Sequence, residues 1–122
     1  MKCPHPFVAV CLIAVAGSAP ANAHHSFAMF DLGREVELSG TISRFDWTNP
    51  HSFVWVDVVG SDGKTVTWGA EGQSPNYLGR RGWSRDTLKV GDKVTLIIMP
   101  LRDGSPGGMF KRLTLPNGKV ID

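Results

Sequence analysis

At 122 residues and 42% hydrophobic composition, the chain can build one small core but not two. Its net charge of +2 provides no basic field that would hold nucleic acid or an anionic membrane. Its two cysteines, Cys3 and Cys11, both lie near the start, so a domain built downstream has no disulfide and no thiolate metal ligand.

The first residues read as an export signal. Lys2 precedes an apolar run from Phe7 to Ala16, then the small-residue stretch Gly17-Ser18-Ala19-Pro20 and the triplet Ala21-Asn22-Ala23. Basic start, apolar run and A-x-A site are the order of a cleaved secretory signal peptide. Residues 1–23 are therefore expected to be removed, leaving 99 residues of net charge +1 that are periplasmic or secreted. A lipoprotein reading at Val8-Ala9-Val10-Cys11 leaves too short an apolar run. No later apolar run reaches the roughly 20 residues of a membrane helix, so no stable membrane anchor is expected. The intact mass of the exported protein tests the cut, and a chain beginning at Asn22, or an uncut one, would reject it.

Residues 24–35 carry Phe27, Met29 and Phe30, too apolar for a free tail, and are expected to pack on the domain formed by 36–122. In that domain Val36, Leu38, Gly40 and Ile42 alternate with polar residues, the period of a half-buried strand. Phe45 and Trp47 then fall out of phase, which predicts a bulge near Ser43-Arg44, while Gly40 predicts a bend. A Thr48-Asn49-Pro50 turn leads to a second strand over 52–59, and Gly60-Ser61-Asp62-Gly63 to a third over 64–71. Ser74-Pro75 reads as N-cap and first residue of a short helix holding Tyr77 and Leu78 and stopping at Gly82. A turn at Leu88-Lys89-Val90-Gly91-Asp92 precedes a fourth strand through Val94, Leu96 and Ile98. A Gly-rich loop, 103–108, read as a flexible hairpin connection, leads to a fifth strand near 109–115 and an Asn117-Gly118 turn. The expectation is all-β: a small five-stranded OB-fold-like barrel with one short helix between strands three and four. An open β-sandwich of the same strands is the rival.

His24, His25 and His51 are the histidines of the mature chain. Cleavage after Ala23 frees the α-amine of His24, which with its own imidazole forms a bidentate nitrogen chelate. Such nitrogens suit Cu(II) first among divalent ions, and Zn(II) also. His51, behind Pro50 in a stiffened turn, is the third nitrogen of one coordination mode. A second mode uses the amine, the deprotonated His25 amide and the His25 ring, and needs no fold. Asp46, Glu71 and Met109 are further candidate ligands; carboxylates favour Zn(II) or Cu(II), a thioether Cu(I). The competing view of all three histidines is that they are solvated terminus and turn residues.

Phe53 and Trp55 share the face of strand two opposite Val54, Val56 and Val58, and OB-folds commonly bind ligands on that outer face. Burial of these two rings under Phe27, Met29 and Phe30 is the structural alternative. Arg80 and Arg81 read as a solvated helix face, Trp68 and Trp83 as core. The chain has no nucleophile elbow, phosphate loop, CxxC or HExxH, so no catalytic residues are assigned. A copper oxidase or oxygenase is the one enzyme class the residues would serve.

His24-His25-Ser26-Phe27, Trp47-Thr48-Asn49-Pro50-His51, Leu88-Lys89-Val90-Gly91-Asp92 and Arg102-Asp103-Gly104 through Gly107-Gly108 together carry a resemblance. On them the chain resembles a family of small exported bacterial proteins described as a domain of unknown function, over nearly the whole mature length. That resemblance implies no activity. At its first mature residue the chain is also similar to histidine-brace copper proteins, a likeness of site and not of fold. The function expected is a periplasmic metal-binding protein, copper first, that carries or buffers the ion and exchanges it with another exported or membrane protein. The alternative is a non-metal ligand- or protein-binding module using the Phe53–Trp55 face.

Overall fold

A computed structural model of the chain describes residues 27–122, so the segment expected to be a signal, His24 and His25 lie outside the described residues. The strands are β1 (Val36–Asp46), β2 (Phe53–Val59), β3 (Thr65–Glu71), β4 (Lys93–Pro100), β5 (Gly107–Thr114) and β6 (Val120–Ile121), with helix α1 (Pro75–Arg80) between β3 and β4. Hydrogen bonding runs in the order β3-β2-β1-β4-β5-β6, and a parallel β3–β5 pairing closes the first five strands into a barrel. That pairing rules out the open sandwich. The five-stranded barrel with its helix between strands three and four is the architecture the alternating segments predicted. The added strand, β6, is laid on β5 by the Asn117-Gly118 turn, where Leu115 N–H donates to the Lys119 carbonyl at 2.8 Å.

β1 serves both halves of the barrel. Its first residues, Val36 to Thr41, pair with β4, and Thr41 to Asp46 pair with β2. The register breaks between Ile42 and Arg44, where the out-of-phase apolar pair had placed a bulge. Gly91 N–H donates to the Ile42 carbonyl at 2.8 Å, and Ile42 N–H to the Asp92 carbonyl at 2.9 Å, so the turn before β4 extends the ladder past that strand. Gly40 sits next to Thr41, where β1 begins to pair with β2 as well as β4, with no room for a side chain. A Cβ there would run into the Asp57 carbonyl oxygen and come within 2.6 Å of Val56 Cγ1. Gly40→Ala is expected to destabilise by about 1–3 kcal/mol through this overpacking. Urea denaturation measures it, and a change within about 0.5 kcal/mol of wild type would show that the neighbouring strand yields freely.

The core collects one face of each strand. Leu38, Ile42, Val54, Val56, Ala70, Val94, Leu96, Ile98 and Leu113 are buried together with Leu78, Trp83 and Leu88 from the connection between β3 and β4. Trp68 is partly buried against that cluster. α1 delivers Leu78 and Trp83 through its caps. Ser74 Oγ accepts from Tyr77 N–H at 3.3 Å, and Pro75 follows at the first helical position. At the other end Gly82 has φ +88°, Gly82 N–H donates to Gly79 O at 3.1 Å, and Trp83 N–H donates to Leu78 O at 3.1 Å. These two bonds form a Schellman motif, which sets Trp83 beside Leu78. Ser74→Ala is expected to cost about 1 kcal/mol, read as a fall in thermal midpoint.

The 103–108 loop is the hairpin connection expected between β4 and β5, with Gly107 and Gly108 already in β5. Ser105 N–H donates to Asp103 Oδ1 at 2.9 Å, a bond that holds the Asp103 carboxyl below its usual pKa. Gly69 N–H donates to the Pro106 carbonyl at 3.3 Å. Gly108 is glycine for space, because a Cβ there would strike the Met99 carbonyl oxygen and approach Ile98 Cδ1 to 2.9 Å. Close approach of β4, not loop freedom, explains that residue.

Residues 27–31 run against the far end of β4. Phe30 is buried and bridges Leu101, Asp31 N–H donates to the Pro100 carbonyl at 2.8 Å, and Arg102 N–H donates to the Met29 carbonyl at 2.9 Å.

Candidate functional site

His51 stands in the β1–β2 connection with its backbone held on both sides. Upstream, Thr48 Oγ1 donates to the His51 carbonyl at 3.0 Å across the cis Asn49–Pro50 bond. Downstream, Ser52 is buried: its N–H and its Oγ–H donate to the Gln73 carbonyl at 3.1 and 2.8 Å, and its own carbonyl accepts from Gly72 N–H at 2.8 Å. These bonds tie the loop to the end of β3, where Glu71 sits. Glu71 is itself fixed between two strands, opposite Phe53 of β2 and Met109 of β5. His51 Nδ1 lies 2.7 Å from Glu71 Oε1; the carboxylate side chain is 13% exposed and the imidazole 36%.

The pair opens on a cavity of about 300 Å³. Phe27, Phe30, Leu78, Met109 and Phe110 give it an apolar wall, and Tyr77, Arg81 and Lys111 stand on its polar side. Both cations there are matched. Arg81 Nη1 donates to Tyr77 Oη at 2.7 Å, its guanidinium lies 5.4 Å over the Tyr77 ring, and Nη2 is 3.7 Å from Asp122 Oδ1. Lys111 pairs with Glu35, whose carboxyl its hydrogen bond and charge hold below the usual range. The cavity is therefore an apolar pocket with one imidazole–carboxylate pair, not an anion trap.

Three residues singled out in the sequence, His51, Glu71 and Met109, line this one cavity. Asp46 does not. Its Oδ2 accepts from Trp55 Nε1–H at 2.8 Å and its Oδ1 meets Arg44 Nε at 3.1 Å. Asp46, Phe53 and Glu71 form one cross-strand row, so Phe53 separates the two carboxylates by two strand spacings, about 9–10 Å. His24 and His25 lie outside the described residues, and among the described residues no group of three or more His, Cys, Asp or Glu side chains is placed to hold a metal.

Phe53 and Trp55 stack at 5.9 Å between centroids. Phe27 and Phe30 go to the cavity wall, and Trp55 is covered otherwise: Arg44 lies 4.5 Å over its ring, and the ring occupies the space above Gly69, 2.7 Å from where a Cβ would stand. Arg81 is exposed, as expected of a solvated face, and also pairs with Tyr77. The i, i+4 spacing of those two residues on a helix was the available signal. Ser52 gave none, because its partner is 21 residues away.

No curated protein and no solved structure matches the chain. One family model does, over residues 11–111, a span that includes β1 through most of β5 and with them His51, Glu71 and Met109. The chain thus belongs to DUF6152, a family of unknown function.

Proposed function

We propose that the protein is a periplasmic metal-binding protein, with copper the favoured ion, that carries or buffers the metal through the mature N-terminal His24 together with His51. The observation that carries this reading is the position of Phe27. It lines the same cavity as His51 and lies three residues after His24. Three residues of chain span at most about 10–11 Å, a bound on the distance of the His24 amine from Phe27 that supports a site shared with His51. An amine and two imidazoles are a nitrogen set in which Cu(II) outranks the other divalent ions, and Zn(II) is the second choice. Met109 adds a thioether on the same wall, a donor type suited to Cu(I). The ion would be exchanged with another exported or membrane protein.

The test uses protein exported with its own signal and carrying nothing before His24. Titration with Cu(II), followed by electron paramagnetic resonance, is expected to give one nitrogen-rich Cu(II) per chain. An initiator Met ahead of His24 is expected to abolish that signal. Failure to retain stoichiometric metal, or an unchanged spectrum with the blocked terminus, would reject the reading.

A further inference from the structure

We propose that Glu71 positions the metal-binding imidazole and is not itself a ligand. It holds His51 by Nδ1, so that Nε2 is the nitrogen turned toward the ion. The metal half of this proposal rests on the function proposed above; the tautomer half stands on the geometry alone.

Nδ1 and Glu71 Oε1 stand 2.7 Å apart, too close for two lone pairs to face each other, so a proton lies between them, and on a neutral ring beside a carboxylate that proton is on Nδ1. A ring nitrogen carrying that proton has no lone pair to give to a metal, so coordination falls to Nε2. Both partners stand on fixed backbone. Glu71 is paired with β2 on one side and β5 on the other, and His51 is clamped by Thr48 before it and Ser52 after it. Neither side chain needs to search for the other, and the ring plane is set before any ion arrives. Metal-bound histidines commonly donate their second ring N–H to a carboxylate, which fixes the tautomer and raises the basicity of the ligating nitrogen. Acting as a ligand, Glu71 would have to release Nδ1 and leave the imidazole without its anchor. The structure thus separates two roles that residue type alone left merged.

The test begins with the metal-free mature protein. Long-range ¹⁵N–¹H correlation spectra of the neutral His51 ring are expected to show a protonated Nδ1 and an unprotonated Nε2. Glu71→Gln keeps an acceptor oxygen and is expected to keep that tautomer, whereas Glu71→Ala is expected to shift it toward Nε2–H. With Cu(II) added, Glu71→Gln is expected to preserve the wild-type paramagnetic spectrum, and Glu71→Ala to weaken binding about 10- to 100-fold without changing the number of bound nitrogens. An Nε2–H tautomer in the wild type overturns the proposal. So does a Glu71→Gln spectrum altered as fully as that of His51→Ala, since the carboxylate would then be a ligand. If the wild type shows the Nδ1–H tautomer but retains no copper, the metal reading fails and only the anchoring of the ring survives.

Discussion

His51→Ala, made on a chain whose N-terminus is the processed His24, is expected to lower Cu(II) affinity by at least tenfold. In the proposed set His51 supplies one of three nitrogens, and it does so from a preorganised position, clamped by Thr48 and Ser52 and anchored through Glu71. Loss of such a ligand costs on the order of one to several kcal/mol, where 1.4 kcal/mol is a factor of ten. The rival chelate, made by the amine, the His25 amide and the His25 ring, is local and gives His51 no role. Isothermal titration of wild type, His51→Ala and His25→Ala separates the two. A large loss confined to His51→Ala supports the proposed set. A loss confined to His25→Ala assigns the copper to the terminal dipeptide.

Leu96→Ala is expected to be the most damaging single truncation in the barrel. Leu96 is fully buried and is paired with Leu38 of β1 on one side and Leu113 of β5 on the other, so the three leucines form one row through the core. Removing its side chain loses the transfer free energy of the buried atoms and leaves a cavity between strands that the closed hydrogen-bond network keeps from collapsing. The expected cost is about 2–5 kcal/mol, a large share of the roughly 5–15 kcal/mol that holds a domain of this size together. In thermal unfolding each kcal/mol lowers the midpoint by about 4–8 °C. Val90→Ala, at a 74% exposed turn residue, is the control and is expected to stay within about 0.5 kcal/mol of wild type. A Leu96→Ala change no larger than that of the control would contradict the packing described.

By itself the sequence determined the local elements. The alternation along Val36 to Ile42, the slip at Phe45 and Trp47, the Ser74-Pro75 cap and the glycine after α1 depend on neighbours a few residues apart, and each recurs in the structure at its expected place. The order of those elements was enough to predict a five-stranded barrel, because three strands, a helix and two strands of these lengths have few ways to bury their apolar faces. Tertiary structure alone decided which side chains meet. Asp46 is five residues from His51 and Glu71 is twenty, yet Glu71 meets the imidazole at 2.7 Å while Asp46 is committed to Trp55 and Arg44. The reason is register. Strand pairing set Phe53 between the two carboxylates, and the Ser52–Gln73 bonds drew the His51 loop toward the end of β3. The parallel β3–β5 seam then brought Met109 beside Glu71. Periodicity along one strand shows which face a residue occupies, but which residue of a distant strand lies opposite is settled only when the barrel closes.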